Sequence, residues 1–571
     1  MTTSSPAPAG GSLRLDIEND GHAREQWERA AAAVLRKARR LSDEDPDSLV
    51  WEKLARTTLD GIRVTPLGLP SDLDGLATSG RPARSGPWDV RTYVPAGDAG
   101  TQRAEAIGDL EGGATSVWLK AGPGTDFAAA LDGVRLDLAP VVLDADEDPL
   151  DTARAFLAHA AGTTLHPQTN LGLDAAEASA EGAALAREAG VLGFVVDATP
   201  VHDAGASEAQ ELGFALAVAA GYLRSLELGG VAVDDAAALV EFRFAATDEQ
   251  FLTIAKVRAA RRLWARMLEL SGAGSVEQRQ HVVTSRPMMS RFDPYANMLR
   301  TTVAAFGAGV GGADAVTVLP FDSPLGRPDA FGRRIARNTS TLLVAESHVA
   351  AVADPAGGAF AVEKLTDDVA VAAWAELGRI EAEGVDALHA RIAEVAATRA
   401  AQVAKRSRPI TGLSEFPNLA ETRPERAPYD DWAGVRPYGE AFEALRDEPA
   451  ATPVFLATMG TVAEHTARAT FATNLFAAGG VAVEVGGVSS GPPDVVAAYG
   501  GQPVVCLAGT DAAYAEWGAD LATALREAGA RRVILAGKPG DRTVAADAVD
   551  DSCALGVDAL AFLTRTREAL S

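Results

Sequence analysis

The chain has 571 residues, of which 47% are hydrophobic and 23% are charged. This length exceeds what one hydrophobic core usually supports, so at least two domains are expected. The formal net charge of −26 argues against a nucleic-acid partner, because a phosphate backbone would repel so acidic a surface. The two cysteines, Cys506 and Cys553, lie in apolar runs and are expected to be buried thiols rather than a disulfide or a metal site.

The N-terminal region divides into a polar segment and an amphipathic helix. Residues 1–20 are rich in Ser, Pro and Gly and are expected to be disordered. They carry neither the basic nor the apolar stretch of a secretory leader, and the longest apolar helical run, 212–223, is too short to cross a bilayer. We therefore expect a cytoplasmic protein without a membrane partner.

The helix predicted over 24–41 must bury one side. Trp27, Ala31, Val34 and Leu35 share that side, so the stripe is expected to pack on its own domain or on a partner subunit. We assign residues 1–55 to an N-terminal arm that contains this helix.

Short β-branched runs alternate with long Ala-rich helices over residues 56–405. The spacing predicts strands at 116–119, 141–143, 193–197, 281–284 and 315–319, and helices at 174–190, 207–227, 248–271, 293–309 and 367–404. Strands without polar alternation indicate a parallel sheet that is buried on both faces. A (β/α)8 TIM barrel fits this length.

Residues 406–450 predict a long connection wrapped along the surface, because helices are interrupted there by Arg406, Arg408, Pro409, Pro417, Pro424, Pro428 and Pro437. Residues 451–571 then repeat a strand–helix pattern, with strands expected at 453–457, 481–485, 503–507, 532–535 and 557–562. Five βα units in so short a stretch predict a flavodoxin-like, Rossmann-like domain, with ligands expected at the carboxyl ends of its strands.

Several motifs occur in an order that resembles a known family. They are Pro-Trp-x-x-Arg-x-Tyr at 87–93, Ala-Gly-Ala at 204–206, the helical sequence at 251–264, Asp-Pro-Tyr-Ala-Asn at 293–297, Arg-Ile-Ala-Arg-Asn at 334–338 and Asp-Pro-Ala-Gly-Gly at 354–358. With a barrel followed by a flavodoxin-like domain, they resemble the adenosylcobalamin-dependent methylmalonyl-CoA mutase family. The resemblance implies interconversion of succinyl-CoA and (R)-methylmalonyl-CoA by a radical mechanism.

The cobalamin motif of that family, Asp-x-His-x-x-Gly after the first strand of the small domain, is only partly kept. His465 occupies the position of the cobalt ligand, but Ala463 replaces the aspartate and Arg468 replaces the glycine. The later Ser-x-Leu and Gly-Gly motifs are replaced by 507–509 and 536–537. An aspartate that orients the imidazole is missing, and an arginine would crowd a corrin. We expect no cofactor-binding residue in this chain, with His465 as the one candidate.

The reacting pocket of the barrel differs from the family pattern in the same way. The family's tyrosine falls at Ala83, and His202 lies near but not at the position of a family histidine. His281 is kept but the following glutamine is replaced by Val283. A polar triplet becomes Thr317-Val-Leu319, in which the two aliphatic side chains cannot hydrogen-bond a thioester. No catalytic residue is therefore expected.

Other polar or glycine-rich stretches have structural interpretations. The runs 307–312 and 486–491 are interpreted as loops, since neither has the context of a nucleotide fingerprint. The acidic residues of 144–148 are expected to be solvated, and the eight histidines are scattered, so no metal site is expected. Arg258, Arg261 and Arg262 are expected to be solvated or to pair with Glu241, and Gly357-Gly358 is expected to form a turn with positive φ.

The resemblance therefore implies a non-catalytic small subunit of a heterodimeric mutase. Adenosylcobalamin and substrate would lie on a large, catalytic α subunit, and this chain would support that partner without binding a cofactor. Two alternatives stay open. One is a self-sufficient cobalamin-dependent acyl-CoA mutase with altered cobalt ligation at His465, and the other is a regulatory protein that binds acyl-CoA.

Overall fold

The computed structural model describes residues 24–76, 80–82, 84, 86–540 and 543–571, apart from the side chains of 176–179 and 430. The disorder expected for 1–20 lies outside these residues. None of the helices described has both the length and the apolar character that a membrane crossing requires.

The N-terminal arm is a small helical unit that packs on itself. It contains α1 (Arg24–Lys37) and α2 (Val50–Leu54), and the antiparallel pair β1 (Arg56–Thr57) and β2 (Arg63–Val64) follows it. Ala32 and Leu35 of α1 form a buried cluster with residues of 41–54. The prediction for Val34 was wrong: its side chain is 67% exposed, and Ala32 takes the inward position. The stripe therefore packs within the arm.

Eight parallel strands close into a barrel in the order β10-β3-β4-β5-β6-β7-β8-β9, which confirms the predicted TIM-type architecture. They are β3 (Asp89–Val94), β4 (Ser116–Lys120), β5 (Val141–Asp144), β6 (Asn170–Leu173), β7 (Leu192–Asp197), β8 (Val240–Ala246), β9 (Arg279–Thr284) and β10 (Ala315–Thr317). Five of them coincide with predicted strands. β3, β6 and β8 were missed, because inward-facing Arg91, Glu241 and Arg243 interrupt the apolar pattern of β3 and β8.

The helices around the barrel include the predicted ones, with one division. They are α3 (Ala99–Glu111), α4 (Phe127–Ala130), α5 (Pro149–His159), α6 (Ala175–Ala189), α7 (Thr199–Asp203), α8 (Glu208–Leu228), α9 (Val233–Ala238), α10 (Gln250–Leu270), α11 (Ala296–Gly311), α12 (Ala330–Thr341), α13 (Phe360–Glu383) and α14 (Val385–Ala404). The single helix predicted at 367–404 is two, because Gly384 adopts φ +87° between α13 and α14.

The connection at 406–450 contains a helix that its prolines did not predict, α15 (Glu440–Asp447). Beyond it, β11 (Val454–Thr458), β12 (Val483–Val485), β13 (Val504–Ala508), β14 (Arg532–Ala536) and β15 (Asp551–Cys553) form a parallel sheet in the order β12-β11-β13-β14-β15. Its helices are α16 (Val462–Ala478), α17 (Pro492–Ala498), α18 (Asp511–Ala513), α19 (Ala519–Glu527) and α20 (Ala559–Leu570).

The strand predicted at 557–562 was wrong. The fifth strand is β15, and the Asp558 carboxylate accepts a hydrogen bond from Ala561 N, which caps the start of α20. Both cysteines are buried and free, as predicted.

Single 3₁₀ turns occur at Asp47–Leu49, Pro70–Leu73, Ser323–Leu325, Val349–Ala351, Asp430–Trp432 and Ala546–Ala548, and π-helical turns at Leu342–Glu346 and Tyr514–Gly518.

The small sheet shares a hydrophobic core with the barrel. Phe292 and Val403 of the barrel region and Phe442 of α15 belong to the same buried cluster as Leu456 of β11 and Leu563 of α20. The proposed boundaries at 405/406 and 450/451 stay predictions, and this core crosses both of them.

The glycine run 307–312 was wrongly interpreted as a loop, since 307–311 form the last turns of α11. An added Cβ at Gly309 would lie 2.5 Å from the Trp88 ring, and one at Gly311 would lie 3.0 Å from Val257 of α10. The glycines therefore allow α11 to approach β3 and α10 closely.

We predict that Gly309→Ala lowers the free energy of unfolding by about 1–3 kcal/mol, because the new methyl group overlaps the buried Trp88 ring. Gly378→Ala in α13 is the matched control, since a Cβ there meets nothing within 4 Å and alanine favours the helix by about 0.5–1 kcal/mol. Urea unfolding of both variants measures the two effects. Equal stability of the Gly309→Ala variant and the wild-type protein would contradict this account of α11.

Candidate functional site

The barrel mouth is the first candidate site, because TIM-barrel active sites lie at the carboxyl ends of the strands. A cavity of about 600 Å³ opens there. Its walls include Trp118 and Lys120 of β4, Asp144 of β5, Asp197 of β7 and Arg286 after β9. We next consider whether the barrel below this cavity is open.

Side chains fill the barrel axis beneath the mouth. The Arg243 guanidinium on β8 lies 4.1 Å from the ring centroid of Trp118 on β4, the diametrically opposite strand. Arg91 Nη1 on β3 donates to Glu241 Oε1 on β8 at 2.7 Å. The Trp118 and His281 rings meet edge to face with 5.3 Å between their centroids. A ligand entering along the axis would meet this layer.

His281 is held neutral within that layer. Its Nδ1 accepts from Arg243 Nε at 3.2 Å, and its Nε2 lies 2.8 Å from Thr317 Oγ1, which donates to the Arg91 carbonyl. Nε2 therefore carries the proton. Burial, reinforced by the cationic Arg91 and Arg243, holds the pKa of His281 well below its usual range. His281 is therefore a fixed hydrogen-bonding group within this layer.

The charges at the mouth are paired with one another. Arg243 Nη1 donates to Asp197 at 2.7 Å, and Lys120 pairs with Asp144 at 3.3 Å and with Asp146 at 2.5 Å. Trp118 Nε1 also donates to Asp144 at 2.9 Å. The negative charge of the acidic stretch 144–148 is therefore partly neutralised by Lys120, whereas the sequence predicted that this stretch is only solvated.

A segment of the 406–450 connection, residues 428–438, lies across the mouth; we call it the strap. Asp431 accepts from Tyr93 Oη and from Arg286 Nη2, both at 2.8 Å. Arg286 also donates to Asp203 at 3.3 Å. Burial raises the pKa of Asp203 to about 6, although the Arg286 charge opposes that rise. The strap is thus fixed to β3 and to the loop after β9.

His202, Ser285 and Glu211 form a further cluster beside the mouth. His202 Nε2 lies 2.7 Å from Ser285 Oγ, and Nδ1 lies 3.4 Å from the Glu211 carboxylate, which pairs with Lys256 at 2.6 Å. The order resembles that of a Ser-His-acid triad. All four side chains are buried, so a substrate carbonyl has no access to Ser285. We interpret the cluster as a structural network.

We predict that the His281→Gln variant loses part of the acid sensitivity of the wild-type protein. The unfolded chain protonates His281 below about pH 6.5, whereas burial and two arginines keep the folded side chain neutral. Its contribution to stability is complete above about pH 6.5 and is lost as the pH falls further, by up to about 1.4 kcal/mol per pH unit.

Urea unfolding from about pH 8 to about pH 5.5 measures this slope. The difference in stability between wild-type and His281→Gln protein should shrink toward acid pH. The acids with raised pKa values contribute equally to both proteins and cancel from the difference. A difference that does not change with pH would contradict the assignment.

The carboxyl edge of the small sheet is the second candidate site, since ligands of such sheets bind where the strand order reverses, here between β11 and β13. His465 lies in the first turns of α16, which begins with a capping box between Thr461 and Glu464. Its side chain is 6% exposed, and Nδ1 has no hydrogen-bond partner among the described residues. His465 is therefore neither on a loop nor openly exposed.

Arg468 covers the crevice at this edge. It donates to the Gly509 carbonyl at 2.9 Å, pairs with Asp511 and lies 4.7 Å from the Tyr514 ring centroid. An added Cβ at Gly537, beyond β14, would lie 3.5 Å from the same guanidinium. One arginine thus spans the loops after β13 and β14.

Hydrogen bonds between the loops after β11 and β12 close the other side of the crevice. Ser489 Oγ donates to the Thr458 carbonyl at 2.8 Å and accepts from Gly460 N at 3.3 Å. Thr458 Oγ1 donates to the Gly487 carbonyl. The backbone groups at this edge therefore have partners within the protein.

Comparison with known proteins identifies the family. The family model described as methylmalonyl-CoA mutase matches residues 191–486. A methylmalonyl-CoA mutase small subunit of Streptomyces virginiae is 46% identical, with 98% of this chain and 98% of its own length covered. The chain belongs to the methylmalonyl-CoA mutase family. A probable methylmalonyl-CoA mutase small subunit of Mycobacterium tuberculosis is 40% identical, with 92% of this chain and 93% of its own length covered. The methylmalonyl-CoA mutase small subunit of Propionibacterium freudenreichii subsp. shermanii is 33% identical, with 96% of this chain and 94% of its own length covered.

The residues at the small-sheet edge do not fit the cofactor that the family implies. A cobalt ligand needs an approachable imidazole with an oriented second nitrogen. In this mutase-family chain His465 is buried within α16, Nδ1 has no orienting carboxylate among the described residues, and the Arg468 side chain lies over the crevice. Among the described residues, no group of three potential metal ligands comes together. We therefore derive no step through cobalamin on this chain.

We predict that Arg468→Ala opens this edge. Loss of the bonds to Gly509 and Asp511 and of the contact with Tyr514 should speed amide hydrogen exchange across 509–514. Arg526→Ala is the matched control, because Arg526 makes a similar pair of bonds, to the Ala548 carbonyl and Asp550, elsewhere in the domain. Unchanged exchange at 509–514 in the Arg468→Ala variant would show that other groups close the crevice.

Ala83 lies outside the described residues. The three arginines of α10 have different partners from those expected. Arg258 is buried and pairs with Asp354 and, at 2.8 Å, with Glu363. It is therefore neither solvated nor paired with Glu241. Arg262 pairs with Asp367 at 2.6 Å, and Arg261 donates to backbone carbonyls of 80 and 311–312. The turn with positive φ is confirmed at Gly358. Arg243 and Ser285 were missed, since their partners are distant in sequence.

Proposed function

We propose that this chain is the non-catalytic small subunit of a heterodimeric methylmalonyl-CoA mutase. The observation that carries the proposal is Arg468, which occupies the crevice where a cofactor of this family is expected, in a chain whose fold is otherwise kept. The layer of Trp118, Arg243 and His281 across the barrel axis supports it. The barrel axis below the mouth cavity and the crevice of the small sheet are both filled by groups that bind one another.

We further propose that residues 451–571 are a degenerate flavodoxin-like, cobalamin-type domain. Renumbered within the domain, its strand order is 2-1-3-4-5, the order of flavodoxin-like folds. The domain would keep its architecture for packing against the barrel, through the core that contains Phe292 and Phe442.

The partner in this proposal is a large α subunit that carries adenosylcobalamin and the acyl-CoA. The holoenzyme would interconvert succinyl-CoA and (R)-methylmalonyl-CoA in the cytoplasm, and this chain would contribute assembly and stability. The names of the similar proteins, which are small subunits, support this assignment. The arm is one candidate contact surface, because Val34 projects from α1 into solvent.

A visible-absorbance titration with adenosylcobalamin tests the proposal. We expect no saturable spectral change for this chain alone, and binding with mutase activity only when the large subunit is added. A saturable change for the isolated chain that is lost in a His465→Gln variant would favour the self-sufficient mutase instead. Tight acyl-CoA binding by the isolated chain, without cobalamin, would favour the regulatory alternative.

The supporting role has its own test, with the large subunit alone as the control. We expect the large subunit to be less stable to heat, or less active per mole, than the same subunit in the complex. A large subunit that is fully stable and active alone would contradict a supporting role.

A further inference from the structure

A cleft away from both candidate sites is lined by three arginines; we call it the arginine cleft. It lies between the loop after β8, the first half of α11, the end of α14 and residues 408–411, and its volume is about 360 Å³. This size is at the lower end for small-molecule pockets, which run from about 300 to about 1,000 Å³. The cleft does not include the barrel axis or the small-sheet edge.

Two of these arginines are buried and make no direct ion pair among the described residues. Arg300 and Arg399 are 8% and 5% exposed, and within the described part of the chain neither has a carboxylate oxygen within 4.0 Å. Arg300 donates to Asn297 Oδ1 at 2.7 Å and to the Thr411 carbonyl at 2.6 Å. These partners are neutral, so both guanidinium charges are left without an opposite charge at contact distance.

Arg399 also has an unused donor. Its Nη atoms donate to the carbonyls of Gly205 and Ala206 at 2.8 and 3.1 Å, and its guanidinium lies 4.6 Å from the Tyr438 ring centroid. Its Nε is buried and has no hydrogen-bond partner among the described residues. A buried donor without a partner is costly, so the hydrogen-bonding capacity of the Arg399 guanidinium is incompletely met within the described residues.

The other walls restrict which anion fits. Met288 and Val403 are buried in the floor, and Leu299 at the rim is 70% exposed, so part of the cleft is apolar. Asp248 and Glu249 lie at the exposed rim, where Glu249 pairs with Arg408 at 3.4 Å, and the Glu208 side chain lines the cleft as well. These rim carboxylates disfavour an anion with more than one charge.

We propose that the arginine cleft binds a monocarboxylate with a short apolar chain. The carboxylate lies against Arg300 and Arg399, and the chain lies against Met288, Val403 and Leu299. A fully charged phosphate would gain nothing from the apolar wall and would be repelled at the rim. The site does not depend on the proposed subunit role, since it uses none of the residues on which that role rests.

Ligand-observed NMR with the full-length chain tests the proposal, with hexanoate, propionate and inorganic phosphate as probes. We expect saturable binding of hexanoate. Propionate should bind at least about tenfold more weakly, because each buried methylene strengthens binding by up to about fourfold. Phosphate should bind more weakly than hexanoate. No saturable hexanoate binding, or phosphate binding as tight as that of hexanoate, would overturn the proposal.

Two variants and a matched control locate the site. Arg300→Gln removes the charge, and Leu299→Asp replaces an exposed apolar group with a repelling one, so each should weaken hexanoate binding at least about tenfold. Leu228→Asp, at a leucine that is 91% exposed outside the cleft, should leave binding unchanged. If Arg300→Gln fails to fold, Leu299→Asp decides, because its exposed side chain is not needed for the core. Wild-type affinity in the Leu299→Asp protein would refute this location.

Discussion

The contact between Arg243 and Trp118 is the constraint on which the rest of the barrel depends. It joins opposite strands across the axis, at 4.1 Å between the guanidinium and the ring centroid. A cation inside a barrel must be compensated, and Asp197 and the neutral His281 supply a carboxylate and an acceptor. Because His281 is neutral, its Nε2 donates to Thr317 Oγ1, and Thr317 Oγ1 in turn donates to the Arg91 carbonyl. The interior is one connected network.

The barrel axis below the mouth and the edge of the small sheet are occupied by the same kind of group. In the barrel an arginine lies over an aromatic ring, and at the small-sheet edge Arg468 lies over Tyr514 in the same way. An arginine offers a planar, permanently charged group with donors in several directions, so it can satisfy carbonyls and carboxylates where a ligand would otherwise bind. Such a group fills interior space with its own hydrogen bonds while the architecture of the fold is kept.

Much of the architecture could be predicted from the sequence, and the failures have physical causes. Apolar runs such as 141–143 and 193–197 predict strands well, because both faces of these strands are buried. β8 was missed because Glu241 and Arg243 point into a polar interior, and 557–562 was taken for a strand because an apolar run does not distinguish a buried helix from a strand. The sequence motif alone indicated that an arginine, Arg468, stands where the resemblance implies a glycine. The bonds of Arg468 to Gly509 and Asp511 could not be predicted, because they depend on tertiary structure.

The hydrophobic core that is shared between the barrel and the small sheet has a mechanical consequence. A hinge between two domains needs an interface that can separate at low cost, usually one that is small and polar. Here Phe292 and Val403 from one side and Leu456 and Leu563 from the other lie in one dry cluster, with Phe442 between them. Opening that joint would expose several large apolar side chains to water at once. The barrel and the small sheet are therefore built as one rigid block, in which the two units move together rather than about a hinge.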